Sequence, residues 1–380
     1  MPSVRLICVC FPLLFLIGCG SLGNYPSVAE TTNSEVAKNF MFKRGVNISH
    51  WLSQNMDNRT YGADWFTEED VRWIADQGFD HIRVPIDAKH WMQDDGGLKL
   101  SALEPFNRAC AWAQENGLGV ILDMHTLPGA NFSSKARDSS LFTDPVLLEK
   151  VARFWGEIAA QYAEAGTWLR FELLNEPVAE KDEQLNPVMK RFLSAVRETN
   201  PTRVVYVTSN QWSKFRTVYA LDLPDDPNIA LTLHFYDPLP FTHQRTDWTE
   251  YKSSMPQVDF PGVIPDLSSL LPRGHSRLAL SGTSINAELS IDPGFQKLAD
   301  WAEEYAPGLE IHIGEFGVYR SATPESIHNY YSAVVAASER HGFSWATWDY
   351  RGGFAVRGPD GSPTAAMQGI TEAISTVSPE

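Results

Sequence analysis

Cysteine and positive charge are both scarce in this sequence of 380 residues. Only Cys110, of four cysteines, lies beyond residue 19, so the body of the chain has no second thiol for an intramolecular disulfide. The 31 Lys and Arg residues are outnumbered by 47 Asp and Glu residues, which gives a net charge of -16. An acidic chain repels nucleic acids and anionic lipids. We therefore expect a neutral partner such as a glycan, and no nucleic acid.

Signatures of several other enzyme classes are absent. No glycine-rich dinucleotide fingerprint follows the first predicted strand, and no Gly-x-Ser-x-Gly turn indicates a Ser-His-Asp hydrolase. No His-x-His pair or His-Glu-x-x-His helix indicates a metal site. The sequence thus predicts no cofactor and no metal, with a metal-dependent barrel hydrolase as an alternative.

The first 39 residues differ in composition from the rest. Residues 6–18 form an apolar run that is too short for a membrane span but typical of a signal peptide. The run ends in Leu-Ile-Gly-Cys, which resembles a bacterial lipobox. We predict removal of residues 1–18, lipidation of Cys19 and a flexible tether over residues 19–39. The exported protein would then be anchored by lipid to the cell envelope, at the outer membrane where the host has one. A plain signal peptide or an uncleaved anchor is the alternative.

From residue 40 onward, short apolar runs alternate with amphipathic segments, which is the pattern of repeated βα units. Eight runs fit strands: 44–48, 81–85, 119–124, 169–174, 204–208, 230–235, 310–313 and 343–348. Polar or aromatic residues follow nearly every run, as in a barrel whose active site lies at the carboxyl ends of its strands. An open doubly wound sheet, the competing fold, would gather such residues at one switch point. We therefore predict a single-domain TIM (β/α)8 barrel over residues 40–380. It would act as a monomer, with a long insertion at residues 237–294 between strands 6 and 7.

Two carboxylates stand among the polar residues at the predicted strand ends. Glu176 precedes Pro177, which favours an extended backbone at Glu176, and Glu315 ends an apolar strand at the barrel mouth. Such a pair suits glycoside hydrolysis, in which a protonated acid serves the leaving oxygen and an ionised carboxylate attacks the anomeric carbon. An exposed helix cap for Glu176 and a structural ion pair for Glu315 are the alternatives.

A buried carboxylate needs hydrogen-bond donors or an opposite charge. We expect Arg83 and Tyr236 to contact Glu315, and Arg83 to lower the pKa of Glu315 and keep it ionised. Because side chains alternate along a strand, His125 shares a face with Asp123, and His234 shares one with Tyr236. Aromatic faces near strand ends also suit sugar rings. The tryptophans predicted to contact substrate are Trp51, Trp212 and Trp348.

Seven motifs, taken in order, resemble glycoside hydrolase family five, a cellulase family of retaining (β/α)8 barrels. They are residues 44–48 (Arg-Gly-Val-Asn-Ile), 81–85 (His-Ile-Arg-Val-Pro), 122–125 (Leu-Asp-Met-His), 174–177 (Leu-Asn-Glu-Pro), 234–236 (His-Phe-Tyr), 313–317 (Ile-Gly-Glu-Phe-Gly) and 345–348 (Trp-Ala-Thr-Trp). The resemblance implies that Glu176 is the acid/base and that Glu315 is the nucleophile. It further implies supporting or substrate-binding roles for Arg83, His125, Asn175, His234, Tyr236 and Trp348, without a metal or cofactor.

Three shorter stretches bear on the substrate. Residues 236–244 and 348–354 resemble a bacterial endoglucanase branch of the family, whereas residues 126–131 are closer to a loop of its exo-β-1,3-glucanases. We expect an endo-β-1,4-glucanase acting on neutral β-glucan, with an exo-β-1,3-glucanase or a β-mannanase as alternatives. A catalytically silent, surface glycan-binding lipoprotein is an alternative of another class, against which the presence of both carboxylates argues.

Overall fold

The computed structural model describes residues 40–54, 65–133 and 137–377. The predicted signal peptide, Cys19 and the tether therefore lie outside the described residues. Within the described residues, no helix is both long enough and apolar enough to cross a membrane.

Eight parallel strands close into a barrel, which confirms the predicted fold. The strands are β1 (Arg44–Asn47), β2 (His81–Asp87), β3 (Gly119–Thr126), β4 (Leu169–Glu172), β5 (Val205–Thr208), β6 (Ile229–Phe235), β9 (Glu310–Phe316) and β10 (Ser344–Thr347), with the short β7 (Gly262–Val263) and β8 (Ser284–Ile285) outside the barrel. Around the barrel the order is β1-β2-β3-β4-β5-β6-β9-β10, and β10 pairs again with β1. Each of the eight predicted runs overlaps one barrel strand.

Helices connect the strands in the alternating order of a (β/α)8 barrel. The longer helices are Glu68–Asp76, Glu104–Glu115, Pro145–Gln161, Leu185–Arg197, Asp292–Tyr305, Pro324–Arg340 and Ala365–Val377, and four-residue helices span Ala88–Trp91, Asn210–Ser213, Leu239–Thr242 and Ala287–Ser290. Their starts carry the expected signals. Thr67 and Asp70 form a capping box, and Asp144 caps a helix whose first residue is Pro145.

The core lies inside the barrel and between the barrel and its helices. All seven residues of β2 are buried, because a parallel barrel covers both faces of its strands. Cys110 is buried on the helix Glu104–Glu115 and packs in this core.

The segment of residues 237–294 connects the end of β6 to the helix before β9. It contains the antiparallel pair β7–β8, in which Gly262 is opposite Ile285, and it buries Tyr251, Phe260 and Ile264. Its interpretation as a long insertion between strands 6 and 7 stays a prediction.

Candidate active site

The carboxyl ends of the barrel strands bring the predicted polar residues to one mouth. Arg83 and His125 lie on β2 and β3, Asn175 and Glu176 follow β4, and Glu315 lies near the end of β9. The other members lie on or after the ends of β6 and β10: His234, Tyr236 and Trp348. The structure therefore brings these eight of the ten predicted site residues to one mouth, and Trp212 adjoins them through its hydrogen bond to Pro177 O.

Glu315 is held by the two donors predicted from the sequence. Arg83 Nη1 donates to Oε1 over 2.9 Å, and the Tyr236 hydroxyl donates to Oε2 over 2.9 Å. The carboxylate is buried, with 4% of the residue exposed. Burial raises the pKa of Glu315 above its ordinary value, while His234 and Arg83 lower it. Arg83 therefore lowers the pKa of Glu315 in the expected direction, but burial outweighs the guanidinium charge and the net pKa is raised.

Arg83 is shared among several buried acceptors. Its Nε and Nη2 bind the two oxygens of Glu172 over 2.7 Å each, in the forked geometry that guanidinium favours. Nη2 also lies 3.0 Å from Asp123 and donates to Asn175 Oδ1 over 2.8 Å. The Arg83 guanidinium thus contacts three carboxylates, those of Glu172, Asp123 and Glu315, so only part of its charge stabilises Glu315.

Glu172 is a site residue that sequence analysis missed. It is the last residue of β4, four residues before Glu176, and 1% of the residue is exposed. A charged residue ending an apolar strand was the available signal. The period of two places Glu172 on one face of β4, but it does not say whether that face points into the barrel.

Glu176 adopts a backbone conformation that the following proline does not favour. Its φ is 34°, so the expectation of an extended backbone was wrong. Tertiary contacts overrule the local preference: Asn175 N–H donates to Met124 O over 3.1 Å, and His234 Nδ1 lies 2.9 Å from Glu176 Oε1. Strained backbone of this kind is typical of active sites.

The protonation of Glu176 differs from that of an ordinary surface carboxyl. Burial raises the pKa of Glu176 to about 7, against the lowering effect of His125 and Arg83. Burial also lowers the pKa of His234 to about 4, so this imidazole is neutral at pH 7. A neutral carboxylic acid beside a neutral imidazole is therefore populated near neutral pH.

The two candidate carboxylates lie close together. One oxygen of Glu176, one of Glu315 and His234 Nδ1 all lie within 4.8 Å of one another. His234 Nδ1 is 3.5 Å from Glu315 Oε2. This spacing would also suit three ligands of a metal ion. A chelator therefore tests the metal-dependent alternative.

Two of the three candidate tryptophans lie beside these carboxylates. Trp348 stacks in parallel on His125, with ring centroids 5.6 Å apart and an interplanar angle of 7°. Trp212 joins two loops next to Glu176, because its backbone N–H donates to Pro177 O over 3.1 Å and its indole N–H to Phe132 O over 3.2 Å.

Trp212 lies in an unusual turn of three non-glycine residues with positive φ. The values are 54° for Gln211, 64° for Trp212 and 54° for Ser213. L-residues rarely adopt this region consecutively, since each residue there costs about 1–2 kcal/mol. The contacts of Trp212 with the neighbouring loops hold the turn in place.

Trp51 is the exception among the tryptophans. It is 3% exposed and packs on Phe66 with ring centroids 5.2 Å apart, inside the main hydrophobic core. The prediction that Trp51 contacts substrate is therefore corrected to a core role. A position shortly after a strand end does not distinguish an indole that turns outward from one that turns into the core.

Comparisons with known proteins agree with this arrangement. The family model described as Cellulase (glycosyl hydrolase family 5) matches residues 42–353. Endoglucanase C of Acetivibrio thermocellus is 30% identical over 317 residues, which cover 82% of this chain and 91% of that protein. A solved endoglucanase superposes with a TM-score of 0.70 at 25% identity, covering 87% of this chain and 97% of the other. Thermotoga maritima Cel5A in complex with cellobiose has a TM-score of 0.71 at 23% identity, covering 89% and 98%, and this likeness supports the fold alone.

Proposed function

Because the chain belongs to the cellulase family, glycosyl hydrolase family 5, we propose that it is a retaining endo-β-1,4-glucanase with Glu315 as nucleophile and Glu176 as acid/base. The observation that carries the proposal is the spacing of the two carboxylates, whose nearest oxygens lie within 4.8 Å. Retaining enzymes place the pair about 5–5.5 Å apart, whereas inverting enzymes need about 6.5–9.5 Å to admit a water molecule.

In the first step, Glu315 attacks the anomeric carbon while Glu176 gives its proton to the glycosidic oxygen. The bond from the anomeric carbon to that oxygen breaks, and the leaving sugar departs with the proton. In the second step, the Glu176 carboxylate takes a proton from water as the water oxygen attacks the anomeric carbon. The ester bond to Glu315 breaks, and both carboxyl groups return to their initial states.

The surroundings of the two carboxyl groups suit these different roles. Arg83 and Tyr236 each donate a hydrogen bond to Glu315, and both bonds favour its ionised form. Glu176 receives no such guanidinium contact, and burial raises its pKa to about 7. A proton is therefore available on Glu176 near neutral pH, whereas the two donors favour the ionised form of Glu315.

Several buried polar atoms at the mouth lack partners that a sugar would supply. Among the described residues, Asn175 Nδ2, His125 Nε2 and His234 Nε2 are buried without a hydrogen bond. Arg83 occupies Asn175 Oδ1, so the amide nitrogen of Asn175 is the group left to donate. Buried polar groups are generally paired, and hydroxyls of a bound glucosyl residue would pair these. We therefore propose that Asn175 binds the sugar 2-hydroxyl through Nδ2, as the resemblance to the family implies.

Charge and aromatic content favour a neutral β-glucan as substrate. The net charge of -16 disfavours acidic polysaccharides. Trp348 and Trp212 offer indole faces for sugar rings beside the two carboxylates. The name of the Acetivibrio thermocellus relative, an endoglucanase, favours glucan over mannan and internal over terminal cleavage. We propose that the protein acts as a monomer.

The proposed function is tested by chromatography of the products from soluble β-1,4-glucan, mixed-linkage glucan, β-1,3-glucan and mannan. We expect a series of oligosaccharides from the first two. Glucose alone from β-1,3-glucan would indicate an exo-β-1,3-glucanase, and products from mannan alone a mannanase. Binding without any product would support the glycan-binding alternative. Activity that a chelator abolishes and a divalent ion restores would support the metal-dependent alternative.

We further propose that Cys19 carries the lipid that anchors the exported protein to the cell envelope. The lipobox-like sequence that ends at Cys19 supports this. Cys19→Ser should move the protein from the membrane pellet to the soluble fraction, because a protein without its lipid chains loses the apolar contact with the bilayer. Fractionation followed by immunoblotting measures the shift. Cys110→Ser is the matched control and should leave the protein in the pellet, whereas a Cys19→Ser protein that stays there would contradict the anchor.

A further inference from the structure

His50 combines a strained backbone with an exposed side chain next to the proposed catalytic centre. It follows β1 at the carboxyl end of the barrel, and its φ is 56°, a value that favours glycine. Its side chain is 41% exposed. The imidazole lies 6.2 Å from Trp348 between ring centroids. Strain of this kind persists where surrounding contacts enforce it, and it concentrates at functional sites.

A short hydrogen-bond chain fixes the His50 ring and its tautomer. Ser49 Oγ donates to Asp349 Oδ2 over 2.5 Å, which uses the only hydroxyl proton. His50 Nδ1 lies 2.8 Å from the same Ser49 oxygen and must therefore donate to it. Although part of the side chain is exposed, the partial burial of the ring and the nearby His125 lower the pKa of His50 to about 4, so the ring is neutral and Nε2 carries a lone pair. The direction of these bonds also excludes a Ser-His-Asp nucleophile, in which the imidazole would accept the serine proton.

The barrel topology places His50 across the barrel mouth from Trp212. β1 and β5 are separated by four steps in either direction around the eight strands, so they lie opposite each other. Trp212 follows β5, and its backbone N–H donates to Pro177 O, next to Glu176, the residue proposed to protonate the leaving group. His50 follows β1. A glucan chain that runs from Trp212 across both carboxylates would therefore reach His50 on its glycone side, the part that is bonded to Glu315 in the intermediate.

We propose that His50 is a glycone-side binding residue, whose Nε2 accepts a hydrogen bond from a hydroxyl of the glucosyl unit held at or next to Trp348. The assignment rests on the proposed function and deepens it. Among the described residues, none hydrogen-bonds His50 Nε2, so this atom is available to a sugar.

The test uses calorimetric binding of cellotetraose to the Glu315→Gln protein, in which the ligand is not cleaved. His50→Gly and His50→Ala, each in this background, should weaken binding about three- to tenfold, since both remove one hydrogen bond. The two variants should differ in stability. The glycine variant should melt about 2–4 °C above the alanine variant, because only glycine accepts the positive φ without strain.

The paired variants separate a binding role from a structural one. Unchanged affinity in both would overturn the assignment of His50. Weaker binding in the alanine variant alone would also overturn it, because affinity would then follow backbone strain. A Glu315→Gln protein that retains His50 and binds no β-1,4-linked oligosaccharide would instead overturn the proposed function, and with it the assignment that rests on it.

Discussion

Replacing Glu315 with glutamine should reduce kcat on β-1,4-glucan by about 10⁴-fold or more, as expected when a nucleophile is lost. The amide has nearly the volume of the carboxylate but no charge with which to attack the anomeric carbon. The fold should persist, because Arg83 keeps its forked contact with Glu172 and Tyr236 can still donate to the amide oxygen. Rates from reducing-sugar release, with melting curves measured in parallel, check both expectations.

Glu172→Gln is the matched control for this variant. Glu172 is buried and bound to Arg83 just as Glu315 is, but no contact places it beside Tyr236 or Glu176. We expect Glu172→Gln to keep kcat within about tenfold of the parent while losing some stability, because it weakens a buried ion pair. A Glu315→Gln enzyme that retains more than about a tenth of the parent rate, or a Glu172→Gln enzyme that is equally inactive, would contradict the nucleophile assignment.

The sequence was sufficient to predict the barrel, because its signal repeats eight times. A single apolar run such as residues 119–124 fits several folds. Eight such runs, each followed by polar or aromatic residues, fit a closed parallel barrel. The same repetition predicted the contacts of Glu315, since the carboxyl ends of parallel strands meet at one mouth. Arg83 and Tyr236 could be named because both lie in or directly after predicted strands and both can donate to a buried carboxylate.

The predictions for Glu176 and Trp51 were wrong because contacts between distant segments outweighed preferences set by neighbouring residues. Pro177 favours an extended Glu176, but the hydrogen bonds of Asn175 and His234 hold Glu176 at a φ of 34°. Trp51 follows a strand end, yet it packs into the core against Phe66.

The net direction of the pKa shift at Glu315 could not be predicted for the same reason. A sequence identifies Arg83 as a neighbour but does not show how many other carboxylates share it or how much water the fold excludes. Arg83 also binds Glu172 and Asp123, and burial outweighs its effect on the pKa of Glu315. The sequence does not single out His50 for a related reason, since its positive φ and its contacts with Ser49 and Trp348 arise only in the fold.

Replacing Glu176 with alanine should lower the rate on β-1,4-glucan by about 10²–10⁴-fold, the usual contribution of a general acid/base. Aryl glycosides with acidic leaving groups should lose much less in the first step, because their departure needs little protonation. The second step should then limit turnover, since no carboxylate remains to activate water. Added azide should accelerate it, because this anion needs no general base and fits the space that the side chain leaves.

The pH dependence provides an independent measure of the same role. Glu176 must hold a proton when the glycosidic bond breaks, and burial raises its pKa to about 7. The parent enzyme should therefore lose kcat/KM about tenfold per pH unit above pH 7, as the acid form is depleted. Glu176→Ala should lack this alkaline decline on activated aryl glycosides, because the titrating group is gone.

The product formed with azide decides between a catalytic and a structural role for Glu176. Attack by azide on the ester of Glu315 inverts the anomeric carbon a second time, so a β-glycosyl azide should accumulate with Glu176→Ala. The same azide added to Glu315→Gln should yield none, because that variant forms no ester. A Glu176→Ala enzyme that yields no azide adduct and keeps its alkaline decline would show that another group supplies the proton. Asp123, whose pKa burial raises to about 7, would then be the next residue to replace.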